Sequence, residues 1–113
     1  MNHPNYLGAH RKRWALTKTE LAHLIGYGSR HSIYVCETSR REPTLRFALA
    51  CEVVFGLQIR VLFPALYDRV EDVVMERAAL LDAALRERQD AWAVRKRELL
   101  EFMVERAQPH PGL

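Results

Sequence analysis

From residue 67 to residue 107 the chain contains neither glycine nor proline. Those two residues are the ones that interrupt helices, glycine through backbone entropy and proline through its missing amide and its ring. Across the same stretch apolar side chains recur at Tyr67, Val70, Val74, Ala78, Leu81, Leu85, Trp92, Leu99 and Met103, a spacing near the helical repeat of about 3.6. The stripe thins at residues 88–89 and again at 95–96. This region therefore reads as one long helix or as two helices hinged near Asp90, and not as sheet. No run of alternating polar and apolar residues elsewhere argues for a strand, so an all-α protein is expected. Its 113 residues allow one compact domain plus an appendage rather than two full domains.

Composition narrows the class further. Hydrophobic residues make up 49% and charged residues 27%, which excludes a wholly disordered chain and a collagen. Two cysteines, Cys36 and Cys51, are too few for a disulfide scaffold and sit among apolar neighbours, as reduced core residues do. No apolar run approaches the roughly 20 residues of a bilayer span, and Met1, Asn2, His3 and Pro4 do not resemble a secretory leader. A cytoplasmic protein with no membrane partner is expected.

The first 64 residues are punctuated quite differently. Residues 5–13 suit a first helix with Tyr6, Leu7 and Ala9 or His10 turned inward. Thr17, Lys18, Thr19 and Glu20 form a capping box, in which the threonine hydroxyl accepts from the third amide and the glutamate reaches back. It opens a helix over residues 18–25 with Leu21, Leu24 and Ile25 as its apolar stripe, stopped by Gly26, Tyr27 and Gly28. Ser29 can cap a third helix over residues 30–38, and Thr44 a fourth that ends at Gly56. A short fifth helix fits residues 58–63, closed before Pro64, and residues 108–113 are expected to fray.

Charge divides along the same line. Residues 1–64 carry nine Lys/Arg against four acids, a net +5, whereas residues 65–113 carry eight against ten, a net −2. A basic first half is what a polyanion binder requires.

A helix, a glycine turn and a second short helix make the helix-turn-helix unit. Here the sequence resembles the Xre family, the Cro and lambdoid phage repressor type of DNA-binding domain. The residues that carry the resemblance are Leu16, Thr17, Lys18, Thr19, Glu20, Leu21, Ala22, His23, Leu24, Ile25 and Gly26, then Ser29 through Glu37, then Arg41, Glu42, Pro43, Thr44 and Leu45. Gly56 through Phe63 is similar to the family's closing helix, so the likeness covers roughly residues 6–64. It implies a five-helix lambda-repressor-like bundle over residues 1–64; periodicity adds a long helix or helical hairpin over residues 65–113. Three positions depart from the family pattern. The turn containing Tyr27 and Gly28 is one residue longer, Lys18 stands in place of the common glutamine, and Thr38 and Ser39 replace Asn-Gly.

The resemblance places Arg30, His31, Tyr34 and Val35 at the positions that meet the major groove. A helical wheel agrees on direction: Ile33, Cys36 and Glu37 share one side of the third helix, while His31, Tyr34, Val35 and Thr38 point away from it. Arg30 can bond guanine O6 and N7 in pairs, and Val35 can meet a thymine methyl. Lys18, Thr38, Arg40, Arg41, Arg46 and Arg13 flank that helix as donors to phosphate. The family pattern also pairs an arginine of the first helix with the glutamate ending the third, here Arg11 and Glu37, as a structural ion pair. A DNA-binding regulator of this kind, most often a repressor, acts as a homodimer on a palindromic operator. Leu81, Leu85, Trp92, Leu99, Phe102 and Met103 are the expected dimer interface; the alternative is an antitoxin-like or adaptor protein whose last helix holds a protein partner. His3, His10, His23, His110 and the two cysteines lack metal-ligand spacing. No cofactor, metal or catalytic arrangement is expected, and hence no enzyme.

Overall fold

A computed structural model of the chain describes residues 4–26 and 28–107. The expected contribution of Tyr27 to the turn, the frayed tail, and the surroundings of His3 and His110 lie outside the described residues. Among the described residues seven helices follow in order: α1 (Leu7–Arg13), α2 (Lys18–Ile25), α3 (Arg30–Glu37), α4 (Leu45–Phe55), α5 (Ile59–Leu62), α6 (Pro64–Leu85) and α7 (Ala91–Arg106). No strand occurs among the described residues, so the chain is all-helical. It divides into two compact units after Tyr67. No helix among the described residues is long and apolar enough to cross a membrane.

Side-chain caps set the helix starts in the first unit. Thr17 accepts from the Glu20 amide at 3.0 Å while Glu20 accepts from the Thr17 amide at 2.9 Å, which closes the capping box. Ser29 accepts from His31 and Thr44 from Phe47 in the same way. Gly26 and Gly56 end α2 and α4 with φ of 93° and 66°, a left-handed geometry that a Cβ would strain. α1 begins two residues later than periodicity predicts because Asn5 has another task. Its carboxamide oxygen accepts from the Leu7 amide, and its nitrogen donates to the Cys36 carbonyl at the far end of α3.

α2 packs on both α3 and α4, and α4 on α5. Leu7, Leu21, Ile33, Cys36, Phe47, Cys51, Leu62 and Phe63 form the buried centre. Two expected inward residues differ, Tyr6 and Leu24, which are exposed; of Ala9 and His10 it is His10 that is half-buried. A helix this short buries only a narrow stripe, and Leu7, Leu21 and Ile25 occupy it.

In the second unit the choice between one helix and two resolves to two. The break falls over residues 86–90 and needs no glycine, because Asp90 restarts the helix. Its carboxylate accepts from the Ala93 amide at 3.0 Å and from the Arg88 guanidinium at 2.9 and 3.0 Å. α7 then returns along α6. Ala78 and Leu85 bury against Ala93 and Leu100, with Met103 partly covered beside them. Asp82 of α6 accepts from Arg97 of α7 at 3.0 Å. Leu85 and Met103 are therefore not surface residues awaiting a partner, as periodicity along a single helix suggests. They belong to the hairpin's own core.

Candidate nucleic-acid interface

The orientation of α3 follows from what holds its buried side and its last turn. Ile33 and Cys36 are buried on one side, and the Cys36 carbonyl is tied to Asn5. Glu37, at the last turn, accepts from Arg11 Nε at 2.6 Å and from Arg11 Nη2 at 3.2 Å, a two-pronged bond between side chains that are each more than nine-tenths buried. Arg11 also donates to the Leu16 carbonyl at 2.8 Å. One guanidinium thus fastens α1, the loop before α2 and the end of α3 together. Gly8 makes room for the Glu37 carboxylate: a Cβ there would lie 3.1 Å from Glu37 Oε1.

The opposite side of α3 faces solvent. Arg30 and His31 are exposed in its first turn and Tyr34 in its second. The rings of His31 and Tyr34 stack at 6.3 Å with an interplanar angle of 28°, as side chains three apart on a helix can. The Arg40 guanidinium lies 5.5 Å from the centre of the Tyr34 ring. Arg40, a phosphate candidate in sequence, is thereby joined to two candidates for base contact. Nothing in the sequence announced that triplet except the three-residue spacing of His31 and Tyr34.

Val35 does not share this surface. It is 8% exposed and buried, a correction to its expected place at the major groove. After α3 the chain turns back through Ser39, whose φ is 60°. The amides of Arg40 and Arg41 then both donate to the Val35 carbonyl, at 2.9 and 3.2 Å. A helical wheel counts neighbours on one helix only and omits this returning segment.

The flanking donors also sort themselves. Arg13, Arg41 and Arg46 are exposed at the end of α1, before α4 and in its first turn, and Lys18 is half-buried at the start of α2. Thr38 donates its hydroxyl proton to the Tyr34 carbonyl at 2.7 Å, so it has none to give a phosphate in this rotamer. Its hydroxyl proton is spent within α3 here. Burial pushes the Cys36 thiol up to about 12, with the Glu37 carboxylate adding to the shift. Beside the candidate surface it is therefore an uncharged, inert thiol. Among the described residues no cluster of three or more His, Cys, Asp or Glu side chains could hold a metal ion. What the surface can do is donate: His31, Tyr34 and Arg30 are exposed on α3, with Arg40 beside the Tyr34 ring. Comparison with family models, with curated proteins and with solved structures finds no match.

Proposed function

We propose that the chain is a sequence-specific double-stranded DNA-binding regulator of the helix-turn-helix kind, with α3 laid in the major groove. On this reading it is a binding protein without a catalytic step. It blocks a promoter from the bacterial nucleoid as a dimeric repressor, with two α3 helices about 34 Å apart on a palindromic operator. The observation that carries the reading is the two-sidedness of α3. Ile33 and Cys36 anchor one side in the core, while Arg30, His31 and Tyr34 stand exposed on the other. Arg13, Arg41 and Arg46 lie exposed on the neighbouring elements of the same unit. Arg30 reads a guanine, His31 and Tyr34 contact base edge or backbone, and Lys18, Arg40, Arg41, Arg46 and Arg13 hold phosphates.

The test begins with selection of a preferred duplex from a random library, followed by anisotropy on that duplex and on a scrambled one. Arg30→Ala is expected to weaken the selected site by about 1–3 kcal/mol, to relax preference at one base pair, and to leave the scrambled duplex nearly unchanged. Equal weakening of both duplexes would remove Arg30 from the reading role. A second reading, an antitoxin-like or adaptor protein, is favoured by one observation only: exposed apolar side chains on α6 and α7.

A further inference from the structure

The α6–α7 hairpin has two unlike broad sides. One holds a groove of about 500 Å³ lined by Met75, Ala79, Asp82, Arg86, Arg97 and Glu101, among others. It is crossed by the Asp82–Arg97 ion pair at 3.0 Å. The other side is apolar. Counted around each helix from its buried residues, Val70, Val74 and Leu81 of α6 turn to the same side as Trp92 and Leu99 of α7. These five are between 43% and 74% exposed. Arg77 borders them and Lys96 lies among them between Trp92 and Leu99, both with long side chains whose charged ends can stay in water.

We infer that this side is an interface with a second copy of the chain, two hairpins pairing across a two-fold axis into a four-helix bundle. The dimer of the proposed function is deepened here to a named surface, on observations that involve no DNA. Size is the first argument. The hairpin's own core consists of Ala78, Leu85, Ala93 and Leu100, two of them alanines, which is little burial to offset the entropy of ordering two helices. Area is the second. The five side chains expose on the order of 500 Å² together, so a pair covers about 1,000 Å², where specific interfaces begin. Shape is the third: an antiparallel hairpin with one apolar side is half of a four-helix bundle, and a two-fold pairing needs only that one surface. Trp92, the largest and the most exposed of the five, is the anchor.

Light scattering on the full chain without DNA tests this. The mass expected is twice 13.1 kDa, falling to the single-chain mass in Leu81→Glu and in Leu99→Glu while far-UV dichroism stays helical. Leu80 is 69% exposed but lies on the far side of α6, so Leu80→Glu is expected to remain a dimer. A wild-type monomer at every concentration overturns the inference, as does a dimer indifferent to both charges or one dissolved equally by Leu80→Glu. Should a charged variant lose its helix, Trp14→Phe leaves Trp92 as the only indole. Its emission is expected to shift to the red on dilution, and a constant emission overturns the pairing. Either result leaves the base-reading test unaffected.

Discussion

Arg11 and Glu37 are 26 positions apart and meet at 2.6 Å inside the first unit. A buried pair of this kind adds modest net stability, yet losing one partner strands the other charge out of water. Glu37→Ala is accordingly expected to cost about 3–5 kcal/mol in urea unfolding, while the double replacement Arg11→Met with Glu37→Leu returns close to wild type. A single-variant loss below about 1 kcal/mol would mean that the pair behaves as a surface one. Nothing in the spacing of the two residues announces their contact; in the sequence it was carried by resemblance to a family alone. Val35 shows the opposite failure. Its local pattern pointed outward, and a loop returning from Ser39 to Arg41 closes over the end of its helix instead. Helical periodicity reports a residue's direction and cannot report what later segments lay across it.

At the scale of the element, legibility followed chemistry. The starts at Thr17, Ser29 and Thr44 and the stops at Gly26 and Gly56 were readable because a hydroxyl cap or a left-handed glycine is a local event. The break after Leu85 was only half readable, since its signal is a thinning stripe and a single aspartate. That aspartate makes the break testable. The Arg88 guanidinium, followed by the Ala93 amide, holds the Asp90 carboxyl down to about 2 from an ordinary 3.8. A folded value below the unfolded one stabilises the hairpin fully above about pH 4, and the contribution is lost as pH falls toward 2. Helix content is therefore expected to decline across that window, and less steeply in Asp90→Asn, which can still cap but has no charge to lose. Asp82, also held low, first by its hydrogen bond from Arg97, and Glu20, held low by the Thr17 amide that it caps, supply the decline that remains. Identical titrations of the two proteins would show that Asp90 does not anchor α7.

Across the whole molecule the division of charge matters more than the net value. The basic first half and the slightly acidic second half place any attraction to a polyanion on the unit that carries α3. On the proposed reading, five cations in each copy (Lys18, Arg40, Arg41, Arg46 and Arg13) displace counterions. The logarithm of duplex affinity should then fall with the logarithm of salt at a slope of about −9 for a dimer and about half that for a monomer. Arg41→Ala should make the slope shallower by about one unit per copy, and an unchanged slope would strike Arg41 from the set. The all-helical class was legible in the second half because periodicity is strong where glycine and proline are absent, and in the first because its helix starts and stops are local signals. Which apolar residues the hairpin keeps for itself was not, because Leu85 and Leu81 look alike until the chain turns back.

The two cysteines give the molecule a way to be watched. Burial, first of all, raises both thiols to about 12, so at neutral pH neither is a thiolate and neither meets a reagent while the first unit is closed. Alkylation of Cys36 can proceed only during excursions in which α3 lifts from its neighbours, and alkylation of Cys51 only when α4 does. Labelling rates at the two sites, read by mass spectrometry, would clock those excursions helix by helix. Ligand at the exposed side of α3 would slow the first clock, with no dye attached and no residue replaced.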